Sequence, residues 1–106
     1  MPGWVRVAAR ADVPERGLLA VRADEERICL VSTGDGGLYA LKDRCTHADF
    51  PLSDGEIMSD NKRLECKYHG AKFDVASGRA VALPAIRPVQ TYPVKIEGED
   101  VLVELE

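Results

Sequence analysis

Short apolar segments alternate with turn-forming residues along most of this chain. Runs rich in valine, isoleucine, leucine and tyrosine recur and are separated by glycine, proline, aspartate and serine. This pattern is typical of a protein built from β-strands. The strands that it predicts are 4–7, 18–21, 27–32, 38–41, 72–75, 91–97 and 101–105.

Two of the turns between these segments have the composition of hairpin connections. One is the glycine-rich segment 33–37, and the other is Gly98-Glu99-Asp100. Before the second turn, Val94 and Ile96 alternate with Lys95, which indicates a half-buried strand. No stretch sustains helical spacing beyond a turn near residues 12–15. The prediction is therefore an all-β antiparallel sandwich or barrel.

The middle third of the chain, residues 43–82, is richer in turns than the rest. We interpret it as an inserted subdomain that carries a functional site. Residues 1–42 and 83–106 would pair as the basal part, so that the 106 residues form one domain.

Composition narrows the possible partners. The formal net charge is −4, which gives no indication of nucleic-acid binding. No window of about 18 apolar residues occurs, so no transmembrane helix is predicted. Three cysteines are an odd number, and this fits the reducing cytoplasm better than a disulfide framework. The expected location is the cytoplasm.

Four residues have the chemistry of metal ligands: Cys45, His47, Cys66 and His69. They include both histidines of the chain and two of its three cysteines, and 18 residues separate the two pairs. The third cysteine, Cys29, lies in the apolar run 28–31 and is predicted to be a small buried hydrophobic residue.

Three kinds of metal site that use thiolate and imidazole ligands can be compared with this set of two thiolates and two imidazoles. A structural zinc site usually pairs cysteine with cysteine and histidine with histidine, whereas each pair here is mixed. A mononuclear copper site with one thiolate leaves the second cysteine without a role. A two-iron cluster with two thiolates on one iron and two imidazoles on the other matches both the number and the type of ligands.

The runs Cys45-Thr46-His47 and Cys66-Lys67-Tyr68-His69-Gly70 resemble the two cluster-binding boxes of Rieske proteins. Two further segments, Leu52-Ser53-Asp54-Gly55 and Leu83-Pro84-Ala85, also resemble segments of Rieske proteins. The second resembles the proline loop that covers the cluster in that family. The resemblance implies one [2Fe–2S] cluster per chain, in which Cys45 and Cys66 hold the inner iron and His47 and His69 the outer iron.

Differences from one subfamily indicate which kind of Rieske protein the chain resembles. Rieske proteins of membrane cytochrome complexes carry a disulfide and two hydroxyl donors near the cluster. The matching positions here are Phe50 and Tyr68 for the disulfide, and Ala71 and Phe73 for the hydroxyls. The resemblance therefore implies a soluble ferredoxin with a reduction potential near the low end of the Rieske range, roughly −150 mV.

The implied function is one-electron transfer rather than catalysis. The expected partners are a flavin-dependent ferredoxin reductase and a terminal oxygenase such as a ring-hydroxylating dioxygenase, met by a monomer in transient complexes. The alternative is a non-redox or regulatory module, either zinc-binding or associated with iron–sulfur cluster assembly. Near the first box, Asp43, Arg44 and Asp49 are expected to form local ion pairs that contribute little if exposed.

Overall fold

The computed structural model describes residues 3–45, 51–67, 70–83 and 87–105. Within these ranges the regular structure is almost entirely β, with two single-turn 3₁₀ helices at Arg10–Asp12 and Leu52–Asp54. None of the helices in these ranges has the length and hydropathy that crossing a membrane requires. The strands are β1 (Gly3–Ala9), β2 (Arg16–Ala23), β3 (Glu26–Thr33), β4 (Leu38–Lys42), β5 (Glu56–Ile57), β6 (Arg63–Glu65), β7 (Lys72–Asp74), β8 (Ala80–Ala82), β9 (Thr91–Tyr92), β10 (Val94–Glu97) and β11 (Asp100–Leu105).

These strands form three antiparallel sheets. The first sheet has the order β1-β11-β10, the second β2-β3-β4-β9 and the third β5-β6-β7-β8. Every strand of the third sheet lies between residues 56 and 82, whereas the other two sheets combine strands from both ends of the chain. The all-β antiparallel prediction is confirmed.

Both predicted hairpin turns are present. Glu97 pairs with Asp100, so the second turn has two central residues, and the first of them, Gly98, has a φ of 60°. A positive φ of this size favours glycine because it has no Cβ to clash with the backbone. In the first turn, the amide of Thr33 donates to the carbonyl of Gly37 at 3.1 Å.

The prediction of one strand over residues 91–97 is wrong in one respect. Pro93 divides it into β9, which pairs with β4 in the second sheet, and β10, which pairs with β11 in the first. Proline has no amide hydrogen to give to a ladder, so it suits the point where a chain leaves one sheet for another. Its carbonyl still accepts a hydrogen bond, from the amide of Glu104 at 3.0 Å.

Three short strands, β5, β6 and β8, are absent from the sequence prediction. Each has only two or three residues, which is too short for alternation between apolar and polar positions to stand out. They form because Ile57 and Leu64 are buried in the core that the third sheet shares with its neighbour.

The second sheet is covered on both faces. On β3, Ile28 and Leu30 belong to a core cluster with Val101 and Val103 of the first sheet. The alternating residues Cys29 and Val31 belong to another cluster, which includes Leu64 and Phe73 of the third sheet. The uninterrupted apolar run 28–31 therefore reflects burial on both faces. The second sheet is the central layer, and it packs against the third sheet on one side and the first sheet on the other.

A polar contact ties β9 to the start of β3. The hydroxyl of Tyr92 donates to Oε1 of Glu26 at 3.1 Å, and Nζ of Lys42 lies 3.3 Å from the same oxygen. Burial, together with the negative charge of Glu26, raises the pKa of Tyr92 to about 12. Hydrogen bonds from Lys42 and Tyr92 lower the pKa of Glu26.

The raised pKa of Tyr92 predicts a loss of stability at high pH. Since an unfolded tyrosine titrates near pH 10, the folded state retains the phenol proton more strongly. This stabilising contribution is complete below about pH 10 and is lost as the pH rises through about 12. Between these pH values, the free energy of unfolding measured in urea should fall less steeply with pH for Tyr92→Phe than for the wild type. The control, Tyr39→Phe, should follow the wild type. Equal declines in all three proteins would contradict the assigned contact.

Candidate metal centre

The two predicted cysteine ligands lie just after two strands of different sheets. Cys45 follows β4, and Cys66 follows β6 directly. Their exposed fractions are 1% and 0%, and both belong to the core cluster between the second and third sheets. The predicted histidine ligands, His47 and His69, lie outside the described residues, as do Phe50 and Tyr68.

All three cysteines of the chain are unbridged. The structure thus leaves two buried thiols, Cys45 and Cys66, at the start of the two segments that sequence analysis predicts to hold a metal centre. Thiolates are the ligands that iron–sulfur clusters use, and burying a thiolate in apolar surroundings without a cation is unfavourable. The donors that are described therefore fit an iron–sulfur cluster.

Cys29 has a different character. It is fully buried in the same cluster, and its thiol lies 3.9 Å from the carbonyl oxygen of Leu30. Burial, with a smaller effect from the charge of Asp43, raises the pKa of the Cys29 thiol far above its usual range. Its complete burial among apolar residues confirms the prediction that Cys29 is a small buried hydrophobic residue.

The second ligand segment is closed by backbone hydrogen bonds. The amide of Cys66 donates to the carbonyl of Ala71 at 2.7 Å, and the amide of Gly70 donates to the carbonyl of Cys66 at 3.3 Å. Gly70 has a φ of 75°, a left-handed conformation that side chains rarely adopt. The chain therefore turns back on itself between Cys66 and β7, as a ligand loop requires.

A close backbone contact joins the chain that follows the first predicted ligand segment to the residue before Cys66. Gly55 ends the 3₁₀ helix that follows the first segment, and a methyl group on Gly55 would collide with the carbonyl oxygen of Glu65. Glu65 immediately precedes Cys66. A cavity of about 420 Å³ opens at this junction. Its lining residues are Asp54, Gly55, Glu56, Glu65, Cys66, Lys67 and Gly70.

Charged residues on β6 and β7 pair across the strands beside this cavity. Glu65 and Lys72 are register partners, and their charged atoms lie 3.5 Å apart. Both side chains are partly exposed, so the pair contributes little to stability. Lys67, by contrast, is exposed at the cavity rim.

Two apolar residues occupy the positions at which the resemblance implied missing hydroxyl donors. Ala71 and Phe73 are both fully buried, and Phe73 is the bulkiest of the fully buried side chains in the described segments. They pack within the same cluster as Cys45 and Cys66. Their side chains can contribute packing to this region but no hydrogen bond.

From the sequence, Asp43 is expected to form a local ion pair, and the structure records a different contact for its carboxylate. Its exposed fraction is 4%, and its carboxylate accepts two hydrogen bonds from Ser53, ten residues along the chain. Asp49 of the same prediction lies outside the described residues. Short polar side chains ten residues apart give no periodic signal, so the sequence pattern offered no means of finding this contact.

Comparison with known proteins agrees with this geometry. The Rieske [2Fe-2S] domain family matches residues 3–93. The ferredoxin component of biphenyl 2,3-dioxygenase from Rhodococcus jostii (strain RHA1) is 41% identical over 101 residues, which cover 95% of this chain and 92% of that protein.

Two solved structures have the same fold. The ferredoxin of carbazole 1,9a-dioxygenase from Nocardioides aromaticivorans IC177 superimposes with a TM-score of 0.87 at 31% identity, covering 94% of this chain and 95% of the other. The second is the ferredoxin chain in a complex of reduced oxygenase and oxidized ferredoxin of carbazole 1,9a-dioxygenase. It superimposes with a TM-score of 0.83 at 29% identity, covering 94% of this chain and 91% of the other.

The three-sheet fold and the family match define an iron–sulfur protein of the Rieske class. The chain belongs to the Rieske [2Fe-2S] domain family, and its cofactor is a [2Fe–2S] cluster of that type. The two ferredoxins from Rhodococcus jostii and Nocardioides aromaticivorans are electron-transfer components of dioxygenase systems rather than their catalytic subunits.

The close approach at Gly55 predicts that even one added methyl group disturbs the site. Gly55→Ala should lower the free energy of unfolding by about 1–3 kcal/mol, because the extra volume cannot be accommodated. It should also reduce iron content, because the two ligand segments separate. Gly3→Ala is the matched control, since a methyl group there meets no atom within 4 Å. Wild-type stability and iron content in Gly55→Ala would contradict the contact.

Proposed function

We propose that this chain is a one-electron carrier that takes electrons from a flavin-dependent ferredoxin reductase and delivers them to a terminal oxygenase of the ring-hydroxylating type. The observation that carries this proposal is the similarity along nearly the whole chain to the ferredoxin component of biphenyl 2,3-dioxygenase. The likeness to a ferredoxin solved together with its oxygenase supports the second half of the route.

In this proposal the cluster is held by Cys45, His47, Cys66 and His69. The burial of Cys45 and Cys66 in one core cluster supports their assignment to the inner iron. His47 and His69 are the only histidines in the sequence, and each is close to one of these cysteines. When bound, the cluster supplies reversible transfer of one electron.

The domain organisation forms part of the same proposal. Residues 43–82 would be the cluster-binding subdomain, and residues 1–42 and 83–106 the basal part of a single domain. The sheet composition supports this division, because strands β5 to β8 pair only with one another in the described ladders. Burial of Cys29 and Val31 against Leu64 and Phe73 would then attach the subdomain to its base.

The protein chain should hold the reduction potential low. A hydrogen bond to a cluster sulfur stabilises the additional negative charge of the reduced state and raises the potential. Ala71 and Phe73 have no hydroxyl to donate, and both are fully buried. We therefore propose a potential near the low end of the Rieske range, roughly −150 mV.

A carrier of this kind needs contacts that form and separate quickly. We propose a cytoplasmic monomer that meets its reductase and oxygenase through small interfaces, each below about 1,200 Å². The acidic balance of the chain, a net charge of −4, would favour basic surfaces on these partners.

Composition and electron flow test the proposal together. The purified protein should contain iron and acid-labile sulfide in equal amounts. Electrons from NADH should reach it through a ferredoxin reductase, and a terminal dioxygenase should then form product only when this chain is present. Cys66→Ser, which removes one proposed ligand thiolate, is the control that should abolish product formation. A colourless protein that contains one zinc ion would refute the proposal.

A redox titration tests the low potential separately. The midpoint should lie near the bottom of the Rieske range, at roughly −150 mV. A midpoint above about +100 mV, past the middle of that range, would contradict the argument from Ala71 and Phe73.

A further inference from the structure

A buried carboxylate connects two residues that flank the first predicted ligand segment, one before it and one after it. The backbone amide of Ser53 donates to Oδ1 of Asp43 at 2.7 Å, and the Ser53 hydroxyl donates to Oδ2 at 2.7 Å. Asp43 is 4% exposed. Both carboxylate oxygens therefore accept hydrogen bonds from one residue, which follows Cys45 in the sequence.

Asp43 is itself firmly attached to the second sheet. It follows the last residue of β4, and its amide donates to the carbonyl of Arg27 at 2.9 Å. The preceding residue, Lys42, donates to the carbonyl of Gln90 at 2.8 Å. The backbone of Asp43 is thus fixed two residues before Cys45.

Ser53 is attached to the other side of the site. It lies in the 3₁₀ helix Leu52–Asp54, whose first residue is fully buried in the core cluster that includes Cys45 and Cys66. Gly55, which ends this helix, packs against the backbone of Glu65 next to Cys66. The contact between Asp43 and Ser53 therefore links the strand before the first ligand segment to the residues beside the second.

We propose that Asp43 is a positioning residue for the cluster: its carboxylate closes the first ligand segment through Ser53, and its buried negative charge holds the reduction potential down. This inference rests on the proposed function, because it takes Cys45 to be a ligand. A negative charge near a redox centre disfavours the added electron, and low-dielectric surroundings strengthen that effect. Hydrogen bonds to a charged acceptor are also stronger than those between neutral groups.

The chain contains a second contact of the same chemistry, which serves as a matched control. The amide and hydroxyl of Ser77 both donate to Oδ2 of Asp74, at 2.9 and 2.8 Å. That pair closes the exposed turn after β7, at the opposite end of the strand from Cys66. An aspartate–serine contact that acts only as a local staple should behave in the same way at both places.

Three variants of the intact cluster-containing protein separate position from charge. Asp43→Asn keeps an acceptor for Ser53 but removes the charge, so the cluster should be retained and its midpoint potential should rise. Asp43→Ala removes both acceptors, and its visible absorbance should decay about tenfold faster under chelator, the effect of losing roughly 1.4 kcal/mol of hydrogen bonding. Ser53→Ala should decay at an intermediate rate with an unchanged potential.

Asp74→Asn and Asp74→Ala are the controls and should leave both the potential and the decay rate at their wild-type values. The inference is overturned if Asp43→Asn has the wild-type potential, or if the Asp43 and Asp74 variants behave alike. Those results would leave the wild-type electron transfer intact, whereas failure of the proposed function would appear as a wild-type protein without a cluster. If Asp43→Ala does not fold, as judged by circular dichroism, Asp43→Asn and Ser53→Ala still decide between the outcomes.

Discussion

The burial of strand Glu26–Thr33 on both faces is the constraint on which the rest of the structure depends. Ile28 and Leu30 pack against the sheet formed by the chain ends, and Cys29 and Val31 pack against the short strands that follow the ligand segments. Burial of this kind is the main favourable contribution to folding. It holds together two sheets that share no strand pairing, and it places a buried layer beneath Cys45 and Cys66.

Polar and backbone contacts join the described residues that flank the predicted ligand segments. Cys66 exchanges backbone hydrogen bonds with Ala71 and Gly70 around the second segment, and the carboxylate of Asp43 accepts hydrogen bonds from Ser53 across the first. The close packing of Gly55 on Glu65 then brings the segments together. Two buried thiols, Cys45 and Cys66, are thereby presented from separate parts of the chain within one apolar cluster, as the assembly of a two-iron centre requires.

The longer strands, β7 and the hairpin turns could be predicted from the sequence because segments of four or more residues, apolar or alternating with polar positions, are bounded there by turn-forming residues. The strands β5, β6 and β8 could not, since two or three residues carry no periodic signal and pair only because tertiary packing buries Ile57 and Leu64. For the site, residue chemistry alone singled out Cys45 and Cys66. The role of Asp43 depends on a contact ten residues away, and only the folded structure reveals it.

The central claim is that two cysteines and two histidines of this chain share one two-iron cluster. Pulsed electron–nuclear double resonance on the reduced protein with ¹⁵N-labelled histidine tests it most directly. Since the chain has two histidines, the spectrum should show two nitrogen couplings to the unpaired electron, and changing either His47 or His69 should remove one of them. A reduced cluster with no histidine nitrogen coupling would contradict the account.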